Sequence, residues 1–377
     1  MRPASDAERA RLNETFAALC RIPSTFGHER ACADHVAAEL RAMGLEVQED
    51  DAAAEAGAEC GNLLARLPGR GERSILLCGH LDTVDDGGVP IDPVVVDGGW
   101  ENANDGILGA DNKAAVAVML ALARRCSVEG SPVGVELLFT VSEENALAGA
   151  KAFDAGVLRS DFGYVFDHAS PIGEVVTASP TYFRIAAEFH GRAAHAGIRP
   201  EDGRSAIQAA AHAVAAMPLG RLDEQTTANV GSIQGGVGST NVVPERCRLL
   251  AETRSLDGAR VEEVVAQLVD AIHDGASHAE CDVDVTSERL FAGYRVKPGA
   301  PVVQAAEAAL RACGYEPRRI VTGGGSDANA LEVSGLSCVN LANGTERNHE
   351  PTERVAVAAL EDMLDVALAL LDEAAAV

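Results

Sequence analysis

Three short apolar runs set the terms for the first half of the chain: SILLCG (74–79), VELLFTV (135–141) and GYVF (163–166). None alternates polar with apolar residues, so each is expected to be buried on both faces, as parallel strands between helices are. A long helical pattern, NKAAVAVMLALARR, separates the first two runs. Ahead of them Leu12, Phe16 and Leu19, then Val36, Leu40 and Met43, recur on helical faces. RRIVTG, SCVNLA and a helix from Val355 to Leu371 resume the pattern near the C-terminus. Strand and helix alternating in this way predict an α/β fold around a mostly parallel sheet.

The middle of the chain obeys a different period. Phe183, Ile185, Ala187 and Phe189 alternate with Arg184, Ala186, Glu188 and His190, the pattern of a half-exposed strand. A helix (203–217), strands at 227–234 and 245–255, an amphipathic helix on Val261, Val264, Val265, Leu268 and Ile272, and a last strand at 281–290 follow. That β-α-β-β-α-β order is the ferredoxin-like unit. The expected organisation is therefore a catalytic domain in two parts, 1–178 and 292–377, with an α+β domain, 179–291, inserted between them. A chain of 377 residues can fill both cores.

In open α/β sheets, ligands bind beyond the carboxyl ends of the strands. Here each of those ends carries chemistry. SILLCG runs into His80 and Asp82, VELLFTV into Glu143 and Glu144, GYVF into Asp167 and His168, and SCVNLA into a loop holding His349. Asp111 opens the long helix. Each feature has a bland reading on its own: adjacent glutamates are usually a solvated loop, and an aspartate ahead of a helix is usually an N-cap. Their shared position argues for one convergent site. Two imidazoles and several carboxylates suit a pair of zinc ions, with cobalt or manganese as substitutes. Asp111 would bridge, with His80 and Asp167 on one ion and Glu144 and His349 on the other. Glu143 would face the space beside the metals, take a proton from water there and return it to a leaving amine.

The segments H-L-D-T-V (80–84), G-A-D-N-K (109–113), S-E-E (142–144) and Asp167 resemble the dinuclear zinc exopeptidase and deacylase family. That family includes carboxypeptidase G, peptidase T-type tripeptidases, acetylornithine deacetylase and succinyl-diaminopimelate desuccinylase. H-G-R-A-A-H-A-G-I-R-P-E-D-G (190–203), S-T-N-V-V-P-E (239–245), G-G-G-S-D-A-N (323–329) and the His349 loop extend the resemblance over nearly the whole chain. The wording is most similar to the peptidase T-like branch. The resemblance implies that Asp82 orients His80, that Glu143 is the general acid/base and that His195 stabilises the oxyanion. It further implies that Asn241, Arg254, Gly324, Gly325 and Ser326 contact substrate. Two positions depart from the family pattern: His168 stands where many relatives carry a small residue, and the flank of His349 differs. The H-A-C-G-H-D motif of the branch acting on N-acyl and auxin conjugates is missing.

The expected activity is cleavage of amide bonds in short peptides by a metallopeptidase, aminopeptidase- or tripeptidase-like. N-acyl amino acid deacylase and carboxypeptidase are the alternatives. A net charge of −26 argues against nucleic acid and anionic membrane as partners. No stretch reaches the roughly 18 apolar residues of a membrane span. Nine scattered cysteines without a C-x-x-C pair, and a polar N-terminus, point to a cytoplasmic protein with reduced thiols. The inserted domain suggests a homodimer.

Overall fold

The computed structural model describes residues 1–85 and 87–377, which divide into two compact units. Met1–Ala178 and Arg295–Val377 form the first, and Ser179–Tyr294 the second.

The first unit is built on a mixed, mostly parallel sheet. Ser74–His80 lies at its centre, parallel to Gly134–Thr140 on one side and to Phe162–His168 on the other. Cys338–Ala342 continues the parallel run beyond Phe162–His168. Leu63–Leu67 and Val47–Glu49 add antiparallel strands at the far edge. Leu76, Leu77, Cys78, Leu137, Leu138 and Phe139 are buried on both faces of the sheet, which is why their segments read as unbroken apolar runs. Ser74–His80 is packed by the helix Ala110–Glu129, which buries Val116, Met119, Leu120 and Ala123.

Gly79 sets how closely that helix approaches the strand. A Cβ there would lie 3.3 Å from the Ala115 Cβ and 3.4 Å from the Met119 sulfur. The absence of a side chain thus brings the helix start down beside His80, the next residue.

A second, four-stranded antiparallel sheet in this unit escapes the sequence reading. Its order is Thr345–Glu346, Arg354–Ala356, Gly99–Asn102 and Pro93–Val96. The C-terminal helix consequently begins at Val357, two residues after the expected Val355, because 354–356 is a strand; it runs to Ala376.

The second unit carries an antiparallel sheet in the order Gly220–Arg221, Thr226–Gly235, Arg246–Ser255, Thr181–His190, Asp282–Phe291. Ile185, Ala187 and Phe189 are buried, as are Leu249 and Ala251 on the neighbouring strand. Against them pack the helices Ala206–Ala216 and Gly258–His278, the latter through Val264, Leu268 and Ile272, with Val261 buried on the same helix. Among the described residues no helix is long and apolar enough to cross a membrane.

Replacing Gly79 by alanine is expected to destabilise the protein by about 1–3 kcal/mol, because neither the helix nor the strand can retreat without opening the core. Leu137→Ala, which leaves a cavity in the same sheet, is expected to cost about 2–5 kcal/mol. Thermal and urea unfolding check both; a Gly79→Ala protein as stable as wild type would show that the helix is not held at contact distance.

Candidate metal centre

The parallel strands deliver their ends to one edge of the sheet. His80 closes Ser74–His80, Asp167 is the penultimate residue of Phe162–His168, and Glu143 and Glu144 follow Gly134–Thr140. Asp111 comes from the first turn of Ala110–Glu129. There Asp111 and Asn112 are not helical (φ −82°, ψ 101° and φ −120°, ψ 27°), and Gly109, not Asp111, is the N-cap. The Asp111 carboxylate is therefore not spent on capping.

Five side chains from the two segments of the first unit converge. His80 Nε2 lies 3.3 Å from Asp111 Oδ1 and 3.6 Å from Asp167 Oδ1. His349 Nε2 lies 3.3 Å from Asp111 Oδ2 and 2.9 Å from Glu144 Oε1. Each oxygen of Asp111 thus faces a different imidazole, as a carboxylate bridging two cations through both oxygens would. Glu143 stands on the His80 side: its carboxylate and the ligand atoms of His80 and Asp167 all lie within 4.8 Å of one another. It is 8% exposed, and among the described residues it forms no ion pair with either imidazole.

The groups around this cluster fix its orientation. His80 Nδ1 donates to the Asp82 carbonyl at 3.0 Å and lies 3.5 Å from that residue's carboxylate, which leaves Nε2 to offer its lone pair. The Asp82 carboxylate does more than orient His80. Its two oxygens accept from the backbone N–H groups of Glu143 (3.0 Å) and Glu144 (2.9 Å), so one buried side chain aims both glutamates. Glu29, fully buried, accepts from the Ser142 N–H and hydroxyl at 3.0 and 3.1 Å. It holds Ser142 at a φ of 50° immediately before the pair. Asn348 Nδ2 donates to Asp111 Oδ2 at 2.8 Å. Glu353 accepts from the backbone of Leu108, Gly109 and Asp111. Glu29, Asn348 and Glu353 were not anticipated from the sequence; each is a polar residue in a loop or at a helix start, and only the fold reveals what it touches.

The donor set fits divalent cations on grounds of charge. Four carboxylates (Asp111, Glu143, Glu144 and Asp167) surround two imidazoles, so even with both histidines protonated the cluster would retain two negative charges. Burial and the neighbouring Asp167 push the Glu143 carboxyl well above its ordinary range, and burial and Asp111 do the same to Asp167. Hydrogen bonds with Asp111 and Glu144 raise His349 to about 10. All three shifts express an excess of negative charge in a low-dielectric place, which bound cations would relieve. His168, next to Asp167, is half-buried, and burial alone lowers its pKa.

The remaining predicted residues fall into two groups. Gly324, Gly325 and Ser326 lie just ahead of the helix Asp327–Val333, where the Ser326 N–H donates to the Asn329 side chain at 3.1 Å. Ser326 is buried and the two glycines are partly exposed. His195, Asn241 and Arg254 belong to the second unit. His195 forms a bridge with Val242, and Ala196 N–H donates to the Asn241 carbonyl at 2.9 Å, so the His195 and Asn241 loops are joined. His195 is exposed, and its Nδ1 accepts from the Gly197 N–H at 3.2 Å, which leaves Nε2 as the ring's donor. Arg254 stacks over the Tyr182 ring at 4.1 Å and pairs with Glu252 through Nε (3.2 Å) and a terminal nitrogen (3.3 Å). A substrate carboxylate would have to compete with Glu252 for that fork.

Comparison with known proteins fits this architecture. Residues 181–280 match the peptidase dimerisation domain, and residues 62–167, which carry His80, Asp111, both glutamates and Asp167, match peptidase family M28. A Bacillus subtilis protein, YqjE, is 35% identical over 367 residues, covering 97% of this chain and 98% of its own. The aminopeptidase PepT from Bacillus cereus superposes with a TM-score of 0.87 at 36% identity, covering 97% of this chain and 99% of that one. A tripeptidase from Staphylococcus aureus superposes with a TM-score of 0.92 at 33% identity, covering 98% and 99%. Fold and relatives together define a metal-dependent peptide hydrolase that carries a dimerisation domain. The chain belongs to the M20 peptidase family.

Replacing Asp82 by alanine leaves two backbone N–H groups without their acceptor and frees both glutamates. Activity is expected to fall about 10–100-fold, the usual effect of removing a group that orients metal ligands. Steady-state hydrolysis checks this, and wild-type turnover in Asp82→Ala would show that the glutamates are aimed by something else.

Proposed function

We propose that this protein removes residues from short peptides, tripeptides first among them, using two divalent cations. His80 and Asp167 would hold one, Glu144 and His349 the other, with Asp111 shared. The observation that carries this reading is the placement of the two Asp111 oxygens, 3.3 Å from His80 on one side and 3.3 Å from His349 on the other. Nitrogen and carboxylate donors without thiolate favour zinc, with cobalt or manganese able to substitute. Bound cations supply a Lewis acid for the scissile carbonyl and lower the pKa of water toward about 7.

The chain's own groups do the rest. Glu143 takes the proton of the attacking water and delivers it to the departing amine. It suits that task because Asp82 fixes its backbone and its carboxylate lies beside His80 and Asp167. Asp82 keeps the His80 proton on Nδ1. His195, whose Nε2 is a donor, stabilises the oxyanion, from its own subunit or a partner's. Asn241, Arg254, Gly324, Gly325 and Ser326 contact substrate and select it. The match of the inserted unit to a dimerisation domain supports a homodimer. Nine free cysteines, seven of them buried, support a reducing cytoplasm.

Glu143→Ala is expected to keep its metal and lose about 10²–10⁴-fold in turnover, the range of general acid–base catalysis. Metal analysis beside a peptide hydrolysis assay decides the point. Full activity would remove Glu143 from this role. A panel of tripeptides, dipeptides, N-acetyl and N-succinyl amino acids, and C-terminally blocked peptides fixes the substrate class. Preference for acyl amino acids would replace the peptidase reading with a deacylase on the same centre. Dialysis against a chelator is expected to abolish hydrolysis, and added zinc to restore it.

A further inference from the structure

The loop that carries Asp111 and the loop that carries His349 lie far apart in the chain, yet the bridging arrangement requires them to hold one position relative to each other. Glu353 joins them. It lies four residues beyond His349, is 3% exposed, and both its oxygens are occupied by backbone donors of the other loop. Oε2 accepts from the N–H groups of Leu108 (2.9 Å) and Gly109 (2.8 Å), and Oε1 accepts from the N–H of Asp111 itself (2.9 Å).

The Gly109 and Asp111 N–H groups are among those a helix start leaves without an internal acceptor, and Leu108 immediately precedes that start. Gly109 has a φ of 73°, and a Cβ there would come within 3.2 Å of Thr83, so this turn accommodates glycine. Asn348 grips the same aspartate from the other end, through its carboxylate. Glu353 is itself anchored, because Arg354–Ala356, which follows it directly, pairs with Gly99–Asn102, the strand that leads into the Asp111 loop. The small four-stranded sheet thus holds both loops, and Glu353 ties the backbone of one to the other, beside the side-chain contacts of Asn348 and His349 with Asp111.

We infer that Glu353 is a positioning residue for the metal centre: by fixing the Leu108–Asp111 backbone against the His349 loop, it sets the spacing that allows Asp111 to serve two cations. This rests on the two-cation reading above. Loss of Glu353 should therefore weaken metal binding as well as turnover. Glu353→Gln keeps the shape and replaces one acceptor oxygen by an amide that faces an N–H. Glu350→Gln removes the same charge from the same loop but from an exposed side chain, and so controls for charge alone.

The experiment is calorimetric titration of zinc into metal-free wild type, Glu353→Gln and Glu350→Gln, with amide hydrogen exchange on the metal-free proteins. The expected result is a 10–100-fold loss of zinc affinity in Glu353→Gln, the scale seen when a group orienting metal ligands is removed. Faster exchange at Leu108, Gly109 and Asp111 should accompany it, with both properties near wild type in Glu350→Gln. Equal affinity in Glu353→Gln and wild type, or an equal loss in both variants, would overturn the inference. Should Glu353→Gln not fold, exchange in metal-free wild type still decides. Protection of Leu108, Gly109 and Asp111 well above that of Asp105 supports the lock, and exchange as fast as at Asp105 overturns it. A wild-type protein that binds no zinc, cobalt or manganese would instead defeat the two-cation reading.

Discussion

Buried negative charge governs this molecule. Four carboxylates gather at the ends of parallel strands, in surroundings that leave Glu143 8% exposed and Asp111 9% exposed. Two histidines cannot neutralise them, and burying uncompensated carboxylates is costly. A protein that maintains such a cluster must either protonate it or fill it with cations. The hydrogen bonds that fix the Glu143 and Glu144 backbone and the Asp111 carboxylate hold the carboxylates facing the imidazoles, the arrangement that bound cations would need.

Much of the first unit serves that end. The parallel sheet brings His80, Asp167 and the Glu143–Glu144 pair to one edge. Gly79 lets the helix bearing Asp111 approach that edge. Three buried carboxylates with no place in the proposed ligand set, Glu29, Asp82 and Glu353, each accept backbone N–H groups next to a predicted ligand or the predicted base. They work as acceptors for irregular backbone that secondary structure cannot satisfy, and in doing so they stiffen the loops where the proposed chemistry occurs. Negative charge thus appears twice, facing inward to the cluster and backing the turns that shape it.

The fold class was readable from sequence because its signals are local. SILLCG and VELLFTV can hardly be other than doubly buried strands, and Val261, Val264, Leu268 and Ile272 define their helix by spacing alone. The candidate cluster was also readable, since a strand-end rule places His80, Glu144, Asp167 and His349 together without any contact being known. What escaped has a common cause. The strands Pro93–Val96, Gly99–Asn102 and Arg354–Ala356 are three or four residues long and partly exposed, too short for a period to show. Glu29 and Glu353 look like ordinary loop acids because the contacts that tie them to the site reach residues 113 and 242–245 positions away. Asp82 was expected to orient His80. Its carboxylate does lie near that ring, but its shorter contacts go to the two glutamate N–H groups. Arg254 illustrates a different limit: its place at substrate is proposed from sequence, and the fold adds that Glu252 and Tyr182 also hold its guanidinium, which sequence does not show.

The most direct test of the central claim is a crystal structure of the zinc-soaked protein with anomalous scattering recorded at the zinc edge. Two peaks are predicted per chain, one among His80, Asp111 and Asp167 and one among His349, Asp111 and Glu144, with a different oxygen of Asp111 on each. A single peak, or peaks that leave Asp111 without a metal on both sides, would contradict the account.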